Sequence, residues 1–189
     1  MRRALLALAT LAVLGVAAGG AGSATATPYD GVWIRVDTER SVTEVLRNQK
    51  SLLVLDRVAF GRGGVANLRL RGGNKTPLGE FRISRVNRES RFHLFLGIDY
   101  PRLEHIDAAY RRGILTPEEY QRSLDHGLRH GQFPQNGPLG GHIGFHGIGR
   151  GDPDIHDRFH WTEGCIAMTN EQIEKLHRLV DVGTPVVIQ

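Results

Sequence analysis

Cysteine and histidine can carry out nucleophilic chemistry without a cofactor, and this chain has one cysteine and nine histidines. The cysteine, Cys165, lies in the same short stretch of sequence as His142, His146, His156 and His160. A free thiol has a pKa of about 8.5, and a nearby imidazole can take its proton and leave a thiolate that attacks a carbonyl carbon. The sequence therefore predicts Cys165 as a nucleophile and His146 as its base, paired as thiolate and imidazolium.

Two further requirements of this chemistry point to neighbouring backbone groups. The base needs a partner for its second ring nitrogen, because that partner fixes the tautomer, and the carbonyl of Gly147 can supply it. The negative oxygen that develops on the substrate needs donors, which we expect at the N–H groups of Gly164 and Cys165. Gly164 has no Cβ, which we expect to let the substrate approach closely.

The same residues allow other interpretations. A lone cysteine is often a small buried apolar residue, so residues 164–168 could be a core strand with Cys165 inside. His142 and His146 would share a face of a strand, and with His156 or His160 they could bind zinc in a peptidase or amidase. Taken individually, His156 and His160 are more typical of loop residues.

Four segments occur in the following order: residues 76–81 (TPLGEF), 139–147 (LGGHIGFHG), 161–167 (WTEGCIA) and 183–186 (GTPV). Together they resemble the catalytic domain of L,D-transpeptidases of the YkuD type, and within it the YafK-like murein transpeptidases. The resemblance extends over about residues 32–189, nearly the whole chain after its first residues. Many members have His where this chain has Glu163, and Arg or Asn where it has Ala167; we expect Glu163 to face solvent or substrate.

The resemblance implies an enzyme without a metal or an organic cofactor. Its cysteine attacks the peptide bond after the third residue of a peptidoglycan stem tetrapeptide, D-alanine leaves, and the thioester passes to an acceptor. By resemblance Cys165 is the nucleophile, His146 the base, and Gly147 the source of the orienting carbonyl. Oxyanion or substrate binding is implied for four residues: Gly164, Thr162, Trp161 and His142.

The resemblance leaves the acyl acceptor open. A stem amine would give a cross-link, a lysine of a cell-wall-linked protein would give anchoring, and water would make the enzyme an L,D-carboxypeptidase. Carbapenem-type inhibitors are expected to acylate Cys165. A non-catalytic wall-binding module is a further alternative, against which the intact His146 and Cys165 argue.

The elements that must position these residues are mainly strands. Glycine is abundant at 24 residues while aromatic residues make up only 7%, which is typical of many tight turns. Strands and helices do not alternate regularly, so we predict a mainly β, α+β fold with attached helices, as a sandwich- or barrel-like catalytic domain over residues 27–189. Strands are predicted at residues 32–36, 51–58, 65–70, 81–86, 143–146 and 184–189.

Helices are predicted from their capping signals. Thr116, Pro117 and Glu119 begin one that ends near Arg129, and Thr169 with Gln172 begins another that ends before Gly183. A shorter helix is expected at residues 103–112. Residues 101–135 could form a lid or wall over the site, or be packing helices.

Residues 1–26 have the features of a secretory signal peptide. Two arginines precede an uncharged, mostly apolar run over residues 4–18, and small residues offer a cleavage site after Ala26. We therefore expect an exported protein, periplasmic or in the cell wall, without a membrane-spanning segment in the mature chain. The formal net charge is +4, but the basic residues are scattered, so nucleic acid is not an expected partner.

Overall fold

The computed structural model describes residues 29–189, and the predicted signal peptide lies outside the described residues. These residues form ten strands and four helices. The strands are β1 (Val32–Asp37), β2 (Val42–Arg47), β3 (Lys50–Leu55), β4 (Val65–Ala66), β5 (Thr76–Pro77), β6 (Gly79–Asn87), β7 (Phe95–Ile98), β8 (Gly144–Gly147), β9 (Ile166–Met168) and β10 (Pro185–Ile188). The helices are α1 (Leu103–Arg111), α2 (Pro117–His130), α3 (Pro153–Arg158) and α4 (Asn170–His177).

Eight strands form one mixed sheet in the order β3-β2-β1-β10-β6-β7-β8-β9. The pairs β1–β10 and β8–β9 are parallel, and the other pairs are antiparallel. The segment after β3 returns to the far edge, where Ala59 and Ala167 exchange two backbone hydrogen bonds of 2.8 Å. The predicted mainly β fold with attached helices is confirmed, and this contact draws the two edges of the sheet together.

The strands form where apolar and polar residues alternate. In β6, Phe81 and Ile83 are 1% exposed, whereas Arg82 between them and Ser84 after them face solvent. The whole of β8 is buried, because β7 and β9 flank it and α4 packs on its face. The strand that carries His146 is thus held on several sides.

The capped helices begin where the sequence predicts. Thr116 accepts a hydrogen bond from the N–H of Glu119 at the start of α2, and Thr169 accepts one from Gln172 at the start of α4. Helix α2 ends at His130 and is capped by Gly131, which has a φ of 67°, a conformation in which glycine carries no steric penalty. Helix α4 ends at His177, earlier than predicted.

Other predictions need correction. The strand predicted over residues 65–70 is only the two-residue β4, since the chain then turns into a long loop that reaches β5. Strands β2 and β7 and helix α3 were not expected from the sequence. His156 lies in α3 and is 4% exposed, so it is a buried helical residue rather than a loop residue.

Candidate active site

An open cavity of about 1130 Å³ lies at one end of β8. Its walls come from the loop between β4 and β5, the segment before β7, the glycine-rich segment before β8, and the turn before β9. Both His146 and Cys165 line it. The structure therefore brings the two predicted reactive side chains to one cavity, although they are distant in sequence.

The parallel pairing of β8 and β9 produces this arrangement. His146 lies opposite Ala167 in the register, and Cys165 comes two residues before Ala167. Side chains two residues apart in an extended chain point to the same face of a sheet, so Cys165 shares the face of His146. The two side chains are diagonal neighbours on adjacent segments.

His146 is held in one tautomer and orientation. Its Nδ1 lies 2.7 Å from the carbonyl oxygen of Gly147 and must donate the proton there, which leaves Nε2 free to accept one. The ring of Phe92 stacks on the imidazole with centroids 4.3 Å apart, and the ring of Trp161 meets it at 5.7 Å and 69°. Burial lowers the pKa of His146 to about 4, so the imidazole is neutral at physiological pH.

Gly147 leaves room for this contact. A Cβ at this position would overlap Oδ1 of Asn170 and lie 2.9 Å from the carbonyl oxygen of Phe92. Asn170, the first residue of α4, also bonds both backbone groups of Gly149. Glycine here lets α4 seat closely on the end of β8, which fixes the carbonyl that orients His146.

The thiol of Cys165 is half-buried and donates to the carbonyl oxygen of His142 at 3.5 Å. Burial raises the pKa of Cys165 to about 11, although the backbone amide of Gly144 and the charge of Arg69 oppose that shift. Both pKa shifts favour a neutral thiol beside a neutral imidazole. Burial therefore acts against the predicted thiolate–imidazolium pair in the resting site.

The turn before β9 is fixed by one buried threonine. Oγ1 of Thr162 donates to the carbonyl of Cys165 at 2.7 Å and accepts from the N–H of Gly164 at 3.1 Å. The N–H of Gly164 is thus already used, which corrects its expected availability as an oxyanion donor. The N–H of Cys165 has no hydrogen-bond partner within residues 29–189.

Gly164 also serves a different steric purpose from the one expected. It has a φ of 127°, and a Cβ there would lie 2.6 Å from the carbonyl oxygen of Lys75. The missing side chain thus admits the loop that precedes β5. That loop closes one side of the cavity.

The remaining predicted histidines are occupied elsewhere. His142 lines the cavity with a φ of 56°, and its ring contacts Arg85 and Asn136, so only its carbonyl faces the thiol. His156 accepts from the indole N–H of Trp161 at 3.3 Å, and His160 accepts from the N–H of Phe60. Within residues 29–189, no three His, Cys, Asp or Glu side chains converge as a metal site would require.

A comparison with known families identifies the domain. Residues 31–188 match the YkuD family, described as the L,D-transpeptidase catalytic domain. The chain belongs to this family. No curated protein matches the chain.

Two solved structures share the fold of this L,D-transpeptidase domain. A mutant of the helical cell shape determining protein Pgp2 from Campylobacter jejuni is 17% identical with a TM-score of 0.58, and the match covers 86% of this chain and 48% of that one. Bd1075 from Bdellovibrio bacteriovorus is 20% identical with a TM-score of 0.54, covering 85% and 48%. The chain spans about half the length of each.

The L,D-transpeptidase domain places one unforeseen residue at its site. Arg69, in the loop between β4 and β5, is 5% exposed, and its Nη2 donates to the carbonyl of Glu163 at 3.3 Å. The Glu163 side chain is 81% exposed and lies 3.9 Å from Arg62, so it faces solvent as expected. Arginines are frequent in this sequence, and the only signal for Arg69 was its place before the TPLGEF segment.

The middle segment of the L,D-transpeptidase domain does not cover the cavity. Helix α1 buries Ile106 and Ala109 in the core, and α1 packs against α2. Only Gln135, at the end of the segment, lines the cavity. The packing of α1 agrees with the packing alternative, while residues 101–104 and 130–133 line a second pocket that shares Arg85, Gln135 and His142 with the cavity. Within the part of the chain that the structure describes, none of the helices has the length and apolar character to cross a membrane.

Proposed function

We propose that this chain is an exported cysteine acyltransferase that acts on peptidoglycan stem tetrapeptides. One observation carries the proposal: Cys165 and His146 share a face and a cavity, and the carbonyl of Gly147 fixes the imidazole with Nε2 unprotonated. Family membership supports the substrate class. The cavity agrees with it, since five arginines and two glutamates line it and stem peptides carry carboxylates.

The first half of the proposed reaction forms a thioester. Nε2 of His146 takes the thiol proton as Sγ of Cys165 attacks the carbonyl carbon of the third stem residue. Because both pKa shifts favour the neutral pair, negative charge develops on Sγ only as this proton passes to Nε2. The C–N bond then breaks, and the proton on His146 passes to the nitrogen of the departing D-alanine. The free N–H of Cys165 is the backbone donor for the oxyanion.

The second half releases the acyl group. An acceptor amine attacks the thioester carbonyl, His146 takes a proton from the amine, and that proton returns to Sγ as the C–S bond breaks. A stem amine gives a cross-link, and a lysine of a wall-linked protein gives an anchored protein. Water in the same place gives the L,D-carboxypeptidase. Trp161 and His142, which line the cavity, are the proposed contacts for the stem.

Incubation with tetrapeptide muropeptides, followed by mass spectrometry of the products, tests the proposal. We expect D-alanine release together with a cross-linked dimer when a stem amine is present, or a tripeptide when water is the acceptor. Cys165→Ala should abolish both products. A wall-binding module would give neither product with the wild-type chain, and unchanged turnover in Cys165→Ala would refute the nucleophile.

Export is the second part of the proposal. Residues 1–26 are proposed as a signal peptide cleaved after Ala26, which leaves residues 27–189 as the catalytic domain in the periplasm or cell wall. Determination of the amino terminus of the protein recovered from outside the cytoplasm should give Thr27. A chain that retains Met1 and stays in the cytoplasm would contradict this part.

A further inference from the structure

Arg69 presents a buried cation beside the turn that carries Cys165. Its guanidinium carbon lies 5.7 Å from the centre of the Tyr100 ring, and the hydroxyl of Tyr100 donates to the Arg69 carbonyl. The conformation of Gly140 lets Nη1 approach the backbone closely, since a Cβ there would lie 3.2 Å from that nitrogen. Nε and Nη1 are buried and have no hydrogen-bond partner among the described residues.

No carboxylate within residues 29–189 forms an ion pair with Arg69. The side chain of Glu163 faces solvent near Arg62, and only its backbone carbonyl meets Arg69. Burial raises the pKa of Tyr100, so the phenol is neutral and supplies no negative charge. Burying an unpaired charge is costly, and the cost is recovered only where a negative charge appears nearby.

We propose that Arg69 is a positioning residue whose buried charge stabilises the negative charge that forms on Sγ of Cys165 when the thiol proton passes to His146. This inference rests on the nucleophile assigned in the proposed function. Arg69 is linked directly to the turn that carries the thiol, because Nη2 donates a hydrogen bond to the carbonyl of Glu163, two residues before Cys165. The same contact keeps the turn in place while the charge develops.

The backbone amide of Gly144 also favours a negative sulfur but carries no charge, and the other groups around the thiol leave Arg69 as its buried cation. His146 is neutral, and His142 presents its carbonyl. Glu163 opposes a negative sulfur, while Arg85 favours one but spreads over the ring of Phe95 at 5.1 Å in the exposed part of the cavity. Water screens an exposed charge far more than a buried one. At equal distance, the charge of Arg69 therefore stabilises a negative sulfur more than the charge of Arg85 does.

A purely structural Arg69 would act through its hydrogen bond and its contact with Tyr100. Two substitutions separate this role from the charge. Arg69→Lys keeps a positive charge but loses the planar fork, whereas Arg69→Gln keeps a hydrogen-bond donor for Glu163 but loses the charge. The ionisation of Cys165 should follow the charge.

The test is the rate of Cys165 alkylation by iodoacetamide, measured from pH 6 to pH 11 on the full chain. Because the thiolate is the reacting form, Arg69→Gln should slow alkylation at least about tenfold at neutral pH and move the rate curve to higher pH. Arg69→Lys should stay within about threefold of the wild type, as a retained charge requires. Arg57→Gln, which removes an exposed arginine paired with Asp157, is the matched control and should leave the curve in place.

Equal curves for wild type and Arg69→Gln would overturn the proposal, as would equal losses in the Gln and Lys variants. If Arg69→Gln does not fold, Arg69→Met replaces it, since an apolar side chain of similar length is often tolerated at a buried charge. If neither folds, a structural role is sufficient and the proposal fails. Iodoacetamide needs no substrate, so a chain that fails to process tetrapeptides would still give this result independently.

Discussion

At the scale of single residues, the site depends on hydrogen bonds that fix backbone groups as much as on its two reactive side chains. His146 is oriented by the carbonyl of the residue that follows it, and Cys165 by the hydroxyl of Thr162. Each contact joins residues that are at most three positions apart, so each lies within one short segment of the sequence. The reactive atoms are positioned because the backbone around them has few alternatives.

Thr162→Val tests the turn that carries Cys165. Valine has the same shape but no hydroxyl, so the carbonyl of Cys165 and the N–H of Gly164 would each lose a partner. We expect the free energy of unfolding to fall by about 1–3 kcal/mol, as for unsatisfied buried polar groups. Urea unfolding measures it, and Thr162→Ser should restore most of the loss; a Val variant as stable as the wild type would contradict this role of the hydroxyl.

The sequence predicted a group of Cys165, His146 and the carbonyl of Gly147 from chemical type and adjacency, and the structure brings these groups together. It did not identify Arg69, whose importance comes from burial without a charged partner, a property of the folded chain. It was wrong about the N–H of Gly164, since the competing acceptor on Thr162 is visible only once the turn is built.

At the scale of elements, helix α4 supports the strand that carries His146. Ile173 and Leu176 are fully buried, and Asn170 lies against Gly147 where that residue presents its carbonyl to the imidazole. Helix α2 has the same kind of cap but packs with α1, away from β8. The two helices therefore form a natural comparison.

Removal of the two caps should have equal effects on stability and unequal effects on the site. Thr169→Ala and Thr116→Ala each remove a capping box, and each should lower the free energy of unfolding by about 1 kcal/mol. Only Thr169→Ala should slow iodoacetamide alkylation or acylation of Cys165, because only α4 holds the end of β8. Equal rates in both variants would show that α4 does not control the site.

The starts of helices with a capping box were predicted correctly, whereas elements without a clear local pattern were missed. The caps at Thr116 and Thr169 gave correct helix starts, whereas the six-residue α3 offered too short a pattern. In β2 the irregularity between Val45 and Leu46 buries two consecutive residues and breaks the alternation. Strand β7 has consecutive buried residues because sheet neighbours flank it on both sides, so it shows no alternation either.

At the scale of the whole molecule, the site exists because distant segments pair. The parallel pairing of β8 with β9 joins the segments of His146 and Cys165, and that of β1 with β10 joins the two ends of the described chain. Such pairings leave no local pattern in the sequence, so the order of strands could not be derived from it. Unlike periodicity, the resemblance of four segments to a known family indicated that the distant segments of His146 and Cys165 come together.

Three buried histidines should make the fold sensitive to acid. Burial lowers the pKa of His146, His105 and His156. Below pH 6.5 these histidines are therefore protonated in the unfolded chain but still neutral in the folded one. Stability present above pH 6.5 is therefore lost as the pH falls, and His146 alone, with its pKa of about 4, accounts for a loss of about 3 kcal/mol by pH 4. Urea unfolding at several pH values measures this loss, and His146→Gln should reduce it; an equal loss in the variant would contradict the buried neutral state.

The central claim is that Cys165 acts as the nucleophile with His146 as its base, and acylation by a carbapenem followed by intact-protein mass spectrometry tests it most directly. The account predicts a single covalent adduct that maps to Cys165, formed at least about a hundredfold more slowly in His146→Gln, as for loss of a general base, and absent in Cys165→Ala. An adduct that persists in Cys165→Ala, or that forms at the wild-type rate without the imidazole, would contradict the account.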